Sequence, residues 1–228
     1  MRRQTRVNSK GLVAFASLAL LGAGCSSPQS SGRTIRHELV PLEEVRPAAL
    51  PEVRYATRYN FTGTQLYPAA RLWLHRDTAE ALGRVQRDLA KHELGLKIYD
   101  AYRPFSVQQR MWDLIRDERY VSNPAKNRGR HTRGTAVDVT LVDAKGKQLD
   151  MPTDFDDFSD KAHADYAGAT AAQKRNRTLL ARAMSRHGFV PYPFEWWHFD
   201  LRGWEKYPVL DVSPRDLAAG KKTTVPVP

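Results

Sequence analysis

The chain reads as an α+β domain, and three observations carry that reading. Helical and strand periodicities interleave along it. A turn-rich excursion after Asp143 fits a hairpin better than a parallel crossover. The residues beyond an N-terminal leader suit one domain with a substantial core.

The leader comes first. Arg2, Arg3, Arg6 and Lys10 form a basic start, and Gly11 to Gly24 is a short apolar stretch ending in small residues. Such a segment is an export signal, shorter than the roughly 20 apolar residues that span a membrane. It closes on Leu21-Gly-Ala-Gly-Cys25, which resembles a bacterial lipoprotein box with its leucine one place further from the cysteine than usual. The expected organisation is a lipoprotein-type signal peptide over 1–24, lipidation of Cys25 as the membrane anchor, and a flexible Pro/Ser/Gly/Gln-rich tether over 25–34. No Asp follows the cysteine, so the resemblance implies an exported envelope protein, on the outer membrane facing the periplasm in a Gram-negative source. Cys25 is the single cysteine, which leaves no intramolecular disulfide and no cysteine metal ligand. Removing Arg2, Arg3, Arg6 and Lys10 lowers the formal charge from +11 to +7. The remaining cations are scattered among acids, a solvated surface suited to an anionic wall polymer rather than to nucleic acid.

Leu72-Trp-Leu74 is a short apolar run. Leu82, Val85, Leu89 and Leu94 then recur at helical spacing, with Asp77 as the expected N-cap and Gly95 as the stop. Leu96 to Asp100 reads as a strand that turns at Arg103-Pro104. A second amphipathic helix puts Val107, Met111, Leu114 and Ile115 on one face, and Asn123 to Arg130 is a polar loop. Thr135 to Leu141 alternates as a half-buried strand with Asp138 on its less apolar face. Ala171 to His187 is helical, with Leu179, Leu180, Ala183 and Met184 as core face and Gly188 as stop. Glu195 to Leu201 is a last strand, and the domain is expected over 35–210, followed by a loose tail over 211–228.

Three pieces carry the chemistry: Asp100-Ala-Tyr-Arg-Pro104, His131-Thr-Arg-Gly-Thr-Ala-Val-Asp138 and Glu195-Trp-Trp-His198. His131, Asp138 and His198 supply two imidazoles and one carboxylate, a ligand set that leaves a position open on zinc for water. A fourth protein ligand would close that site, so Glu195 is better read as the general base. In strict strand alternation Glu195 points away from His198, so a bulge or the strand entry has to turn it inward. Arg103, before a stiff proline, is placed to stabilise an oxyanion. His37, His75, His92, His163 and His187 show no matching pattern and read as structural or solvated.

With Tyr55-Ala-Thr-Arg-Tyr-Asn-Phe-Thr-Gly63 and Phe155-Asp156 added, five ordered blocks resemble the D-alanyl-D-alanine dipeptidase family over about 35 to 210. The resemblance implies a fold of the D-Ala-D-Ala peptidase and hedgehog-like type, with a central, mainly antiparallel sheet flanked by helices. It implies one zinc ion at His131, Asp138 and His198, Glu195 as base, and Arg103 as transition-state stabiliser. It further implies a confined site in which Asp156 holds the substrate ammonium and the block around Tyr59 helps wall the pocket. The family commonly has serine where this chain has Gly129, and Arg130 is the candidate to take over that grip on substrate. The expected function is hydrolysis of free D-Ala-D-Ala in cell-wall peptide turnover. One alternative is a carboxypeptidase or endopeptidase of peptidoglycan stem peptides, which would need an open groove. Another is a non-catalytic zinc-containing wall-binding protein, which would need neither Glu195 nor Arg103.

Overall fold

The computed structural model describes residues 38–221; the signal segment, Cys25 and the tether lie outside them. Chain order is β1 (Leu39–Pro41), β2 (Leu50–Pro51), β3 (Trp73–His75), α1 (Arg76–Ala90), β4 (Leu94–Asp100), α2 (Phe105–Ile115), β5 (Ala136–Asp143), α3 (Ala171–Arg186), β6 (Phe189–Tyr192), β7 (Glu195–Leu201) and α4 (Pro214–Ala218). Five strands form one sheet in the order β2-β4-β5-β7-β6, and β1 pairs with β3 separately. The short β2–β4 pairing is parallel and the other three in the large sheet are antiparallel. The expected α+β class with a mainly antiparallel central sheet is what the chain adopts.

β5 is the central strand, and Ala136 to Val142 are all buried. It is therefore covered on both faces, not half-buried as its alternation suggests. Leu96↔Leu141, Ile98↔Val139 and Val137↔Phe199 are cross-strand pairs that share one face. That apolar face packs with Leu82, Val85 and Leu89 of α1 and Leu180 and Met184 of α3, all fully or nearly fully buried. Each such side chain contributes about 1.5–3 kcal/mol by leaving water. Asp138, Thr140 and His198 lie on the other face, where loops rather than helices form the cover. The turn at Asp143–Lys147, with Leu149 N–H bonded back to the Leu141 carbonyl at 3.0 Å, is the expected hairpin.

Several local readings shift. His75, not Asp77, caps α1, because its Nδ1 accepts the Asp77 N–H at 3.2 Å. Asp77 sits in the first turn, where a carboxylate complements the helix dipole. α1 ends at Ala90, and Gly95 lies inside β4. Buried Gln86 ties the two together by accepting the Leu96 N–H at 2.7 Å. On α2, Val107 and Met111 are buried, but Leu114 is 63% exposed because the last turn runs past the core. α3 carries a Thr170–Gln173 capping box and ends at Gly188, whose φ of 91° suits glycine. Its Leu179 lies on the flank, 38% exposed.

The expected loose tail does not hold for residues 211–221. Leu210 and Leu217 join Leu39, Trp73 and Tyr102 in a buried cluster. The Tyr102 hydroxyl donates to the Val212 carbonyl and accepts its N–H, at 3.1 and 2.9 Å. Ser213 then caps α4. Two well-spaced leucines anchor this segment, too few to stand out in a polar stretch.

Two bulges set the functional face. Between β4 and β5 the register steps from Ile98↔Val139 to Asp100↔Asp138, so Tyr99 is the extra residue. Strict alternation would place Asp100 with Ile98 on the helix side; the bulge brings it beside Asp138 instead. Between β6 and β7 the register steps from Pro191↔Phe199 to Tyr192↔Glu195. Four steps on β7 match one on β6, and this breaks the alternation that would keep Glu195 away from His198.

Candidate active site

His131 opens a single tight turn, His131–Arg133, that ends at Gly134 with φ of 67°. A side chain at Gly134 would come within 2.7 Å of the His75 backbone nitrogen and of Leu39. Glycine is needed there for both the left-handed backbone and the close approach. β5 then presents Asp138, and β7 presents His198 directly across from it.

These three residues converge. His131 Nε2 lies 3.1 Å from His198 Nδ1 and 3.4 Å from Asp138 Oδ2, and His198 Nδ1 lies 3.1 Å from Asp138 Oδ1. Among the described residues they form the group of His, Cys, Asp or Glu able to hold a metal ion, and all three are buried. Donors about 2.0–2.1 Å from a tetrahedral zinc stand about 3.3 Å apart, so the spacing fits. The hydrogen bonds behind the rings fit as well. His131 Nδ1 is 2.7 Å from the Ala101 carbonyl, and His198 Nε2 is 2.9 Å from Asp200 Oδ1. Both outer nitrogens face acceptors and so carry the proton, which turns two lone pairs toward one carboxylate. Burial opposes a charge on His198, but Asp200 and Asp138 outweigh it and push its pKa up to about 10. The site calls for positive charge at that point, and a metal cation satisfies all three donors at once.

Glu195 lies 3.7 Å from His198 Nδ1, on the metal side of the bulged strand as its expected role requires. Burial raises its pKa well above the carboxylate range; His198 works against the rise, and Asp138 and Asp156 add to it. Arg103 is buried, with Nε and Nη2 donating to Asp100 Oδ2 at 3.0 and 2.8 Å and Nη1 donating to Gln108 Oε1 at 2.9 Å. The Tyr67 hydroxyl donates to the other Asp100 oxygen at 2.7 Å. Arg103 thus commits three of its five N–H donors to support and keeps two for a ligand. Its Nη2 stands 3.9 Å from Asp138 Oδ2, at the edge of the donor triad.

The site opens into a small, partly enclosed cavity. Phe61, Tyr120 and Phe158 wall it, with Tyr120 stacked on Phe158 at 4.7 Å and Phe61 tilted against Phe158 at 5.1 Å. Asp156 lines the cavity, in a left-handed conformation with φ of 64°. Its Oδ1 accepts the Tyr55 hydroxyl at 3.0 Å, while Oδ2 is buried with no hydrogen-bond partner. Burial, reinforced by Asp138, pushes its pKa up to about 7 against the Tyr55 hydrogen bond and Arg103. Tyr59 is a correction: it is 82% exposed and absent from the cavity wall, because the loop turns Tyr55 and Phe61 inward instead. Arg130 does line the cavity, but its Nε faces Asp200 Oδ2 at 3.1 Å.

Gly129 has φ of 81°, and a side chain there would press on Gln108 at 3.2 Å. Gln108 uses that space to hold Arg103. Tyr67, Gln108 and Asp200 are supporting residues beyond those picked from the sequence, while Asp100 and Tyr55 open two of the blocks it singles out. Asp200 carried a usable signal, since it shares a strand face with His198 two residues away. Tyr67 and Gln108 carried none.

A mainly antiparallel sheet bearing a buried His–Asp–His donor set, with a carboxylate and an arginine beside it, defines a metallopeptidase. Residues 35–209 match the profile of the D-ala-D-ala dipeptidase family, and the chain belongs to that family. It is 40% identical over 173 residues to the D-alanyl-D-alanine dipeptidase of Escherichia coli (strain K12), covering 76% of this chain and 89% of the relative. Its identity to the D-alanyl-D-alanine dipeptidase of Enterococcus faecalis (strain ATCC 700802 / V583) is 30% over 187 residues, covering 73% and 92%. With the namesake of Streptomyces coelicolor (strain ATCC BAA-471 / A3(2) / M145) it is 31% over 175 residues, covering 66% and 85%.

Replacing Arg103 by Met leaves the Asp100 carboxylate buried beside a single hydroxyl donor. The expected loss is about 3–5 kcal/mol in urea unfolding of the metal-free protein. Asp100→Asn combined with Arg103→Met is expected to recover part of it. A single-variant loss below about 1 kcal/mol would show that the pair does not hold this corner together.

Proposed function

We propose that this enzyme hydrolyses free D-alanyl-D-alanine to two D-alanines, using one zinc ion held by His131, Asp138 and His198. Asp156 carries the reading. It lines a walled cavity and holds one buried oxygen without a hydrogen-bond partner, a fit for the free ammonium end of a short peptide and a poor one for the interior of a long chain. When bound, zinc supplies the Lewis acidity that activates water and polarises the peptide carbonyl.

The protein's own groups do the rest. Asp156 and the aromatic wall fix the dipeptide by its N-terminal end, which sets the scissile carbonyl against the donor triad. Glu195 takes a proton from the attacking water and returns it to the departing amine nitrogen. The two uncommitted Arg103 N–H groups stabilise the negative charge that develops on the carbonyl oxygen. The preference for D-residues follows the family to which the chain belongs.

An export signal ending at Cys25 supports an envelope location, with the enzyme lipid-anchored and acting in turnover of peptidoglycan-derived peptides rather than on a cytoplasmic pool. Cys25→Ser is expected to abolish incorporation of labelled palmitate and to move activity into the soluble fraction. Absence of label on the unaltered protein would contradict the anchor.

The activity itself is tested with zinc-loaded protein lacking residues 1–25. Free D-Ala-D-Ala is expected to be cleaved, N-acetyl-D-Ala-D-Ala and a pentapeptide ending in D-Ala-D-Ala are not, and Asp156→Asn should raise KM for the dipeptide. Glu195→Gln is expected to lower kcat by about 10²–10⁴-fold with zinc retained. Release of D-alanine from the pentapeptide would instead make this a stem-peptide carboxypeptidase.

A further inference from the structure

His198 is held from behind by a pair of opposite charges. Its Nε2 lies 2.9 Å from Asp200 Oδ1, and Asp200 Oδ2 lies 3.1 Å from Arg130 Nε. The sheet sets this spacing: Asp200 is two residues beyond His198 on β7 and pairs with Ala136 of β5. Both Asp200 and His198 are buried.

Arg130 is itself clamped. Its guanidinium stands 4.7 Å from the Tyr192 ring centre and 5.5 Å from that of Trp204. Tyr192 packs edge-on against His198, ring centres 5.4 Å apart. The residue next to one metal-facing histidine thus buttresses the other. A carboxylate at Nε2 keeps the proton there and leaves Nδ1 to face Asp138 and His131. With its second oxygen facing Arg130, the carboxylate cannot rotate away without losing a charged contact.

We propose that Asp200 is a positioning residue for His198, and that Arg130 acts on the metal site through Asp200 rather than by gripping the substrate carboxylate. This rests on the assignment of zinc to His131, Asp138 and His198. Two features set it apart from an ordinary surface ion pair: the burial of Asp200, and its direct contact with the far side of a donor ring.

The test is zinc affinity by chelator competition for the unaltered protein, Asp200→Ala, Asp200→Asn, Arg130→Met and Arg130→Met/Asp200→Ala. It is read together with the visible spectrum of the cobalt-loaded forms and the KM for D-Ala-D-Ala at saturating zinc. Asp200→Ala is expected to weaken zinc binding about 10- to 100-fold and to shift the cobalt bands. Asp200→Asn, which keeps the side-chain volume and an acceptor, is expected to fall between and stands in if the alanine variant does not fold. Arg130→Met should weaken zinc binding alone and add nothing in the Asp200→Ala background. Affinity within about twofold of the parent in both Asp200 variants would overturn the proposal, as would independent, multiplying effects of the two sites. A raised KM in Arg130→Met with unchanged zinc affinity would make Arg130 a substrate ligand and overturn its assigned role. No zinc bound by the unaltered protein would overturn the metal assignment as well, which separates the two failures.

Discussion

Two imidazole nitrogens and the carboxylate of Asp138 meet at 3.1–3.4 Å inside a buried site, three donors directed at one point. Much of the active-site architecture answers that constraint. Asp138, Asp156 and Glu195 line the inner cavity, Asp100 and Asp200 stand behind them, and the guanidiniums of Arg103 and Arg130 face this group. The acids of this group outnumber its guanidiniums, a surplus of negative charge when all are ionised. Burial and mutual repulsion express that surplus by raising Glu195 and pushing Asp156 up to about 7. A divalent cation at the donor triad would offset much of that surplus.

Bringing so many acids together requires the sheet to break its own rule. A regular strand sends successive side chains to opposite faces, so Asp100 and Glu195 would each face the wrong side. The Tyr99 bulge returns Asp100 to the functional face, where it anchors Arg103. The β6–β7 irregularity does the same for Glu195. Both defects lie next to the donor triad, while the rest of β4 and β5 pairs regularly over an apolar core. The sheet is a rigid base in which the deviations occur where chemistry needs them.

Legibility in the sequence followed how local each signal was. Helices α1, α2 and α3, the hairpin and the three strands carrying Asp100, Asp138 and His198 show in periodicity and turn residues. The donor triad and Glu195 show in their spacing, and the expected conflict between Glu195 and strand alternation is resolved by a bulge. What stayed hidden depends on contacts distant in the chain. Nothing near Tyr59 indicates that Tyr55 and Phe61 turn inward while it faces solvent, because Asp156 and Phe158, about a hundred residues away, decide that choice. Leu114 and Leu179 fit an apolar stripe but lie where no neighbour covers them. The segment after 210 reads as loose because its anchor, Tyr102, belongs to another part of the chain.

The central claim is that one metal ion sits among His131 Nε2, Asp138 and His198 Nδ1. An anomalous difference map at the zinc edge, from crystals of the zinc-loaded protein, tests it directly. The account predicts a single strong peak bounded by those three residues, with His198 bound through Nδ1 and its Nε2 still on Asp200. A peak elsewhere, or a His198 ring turned to present Nε2, would contradict it.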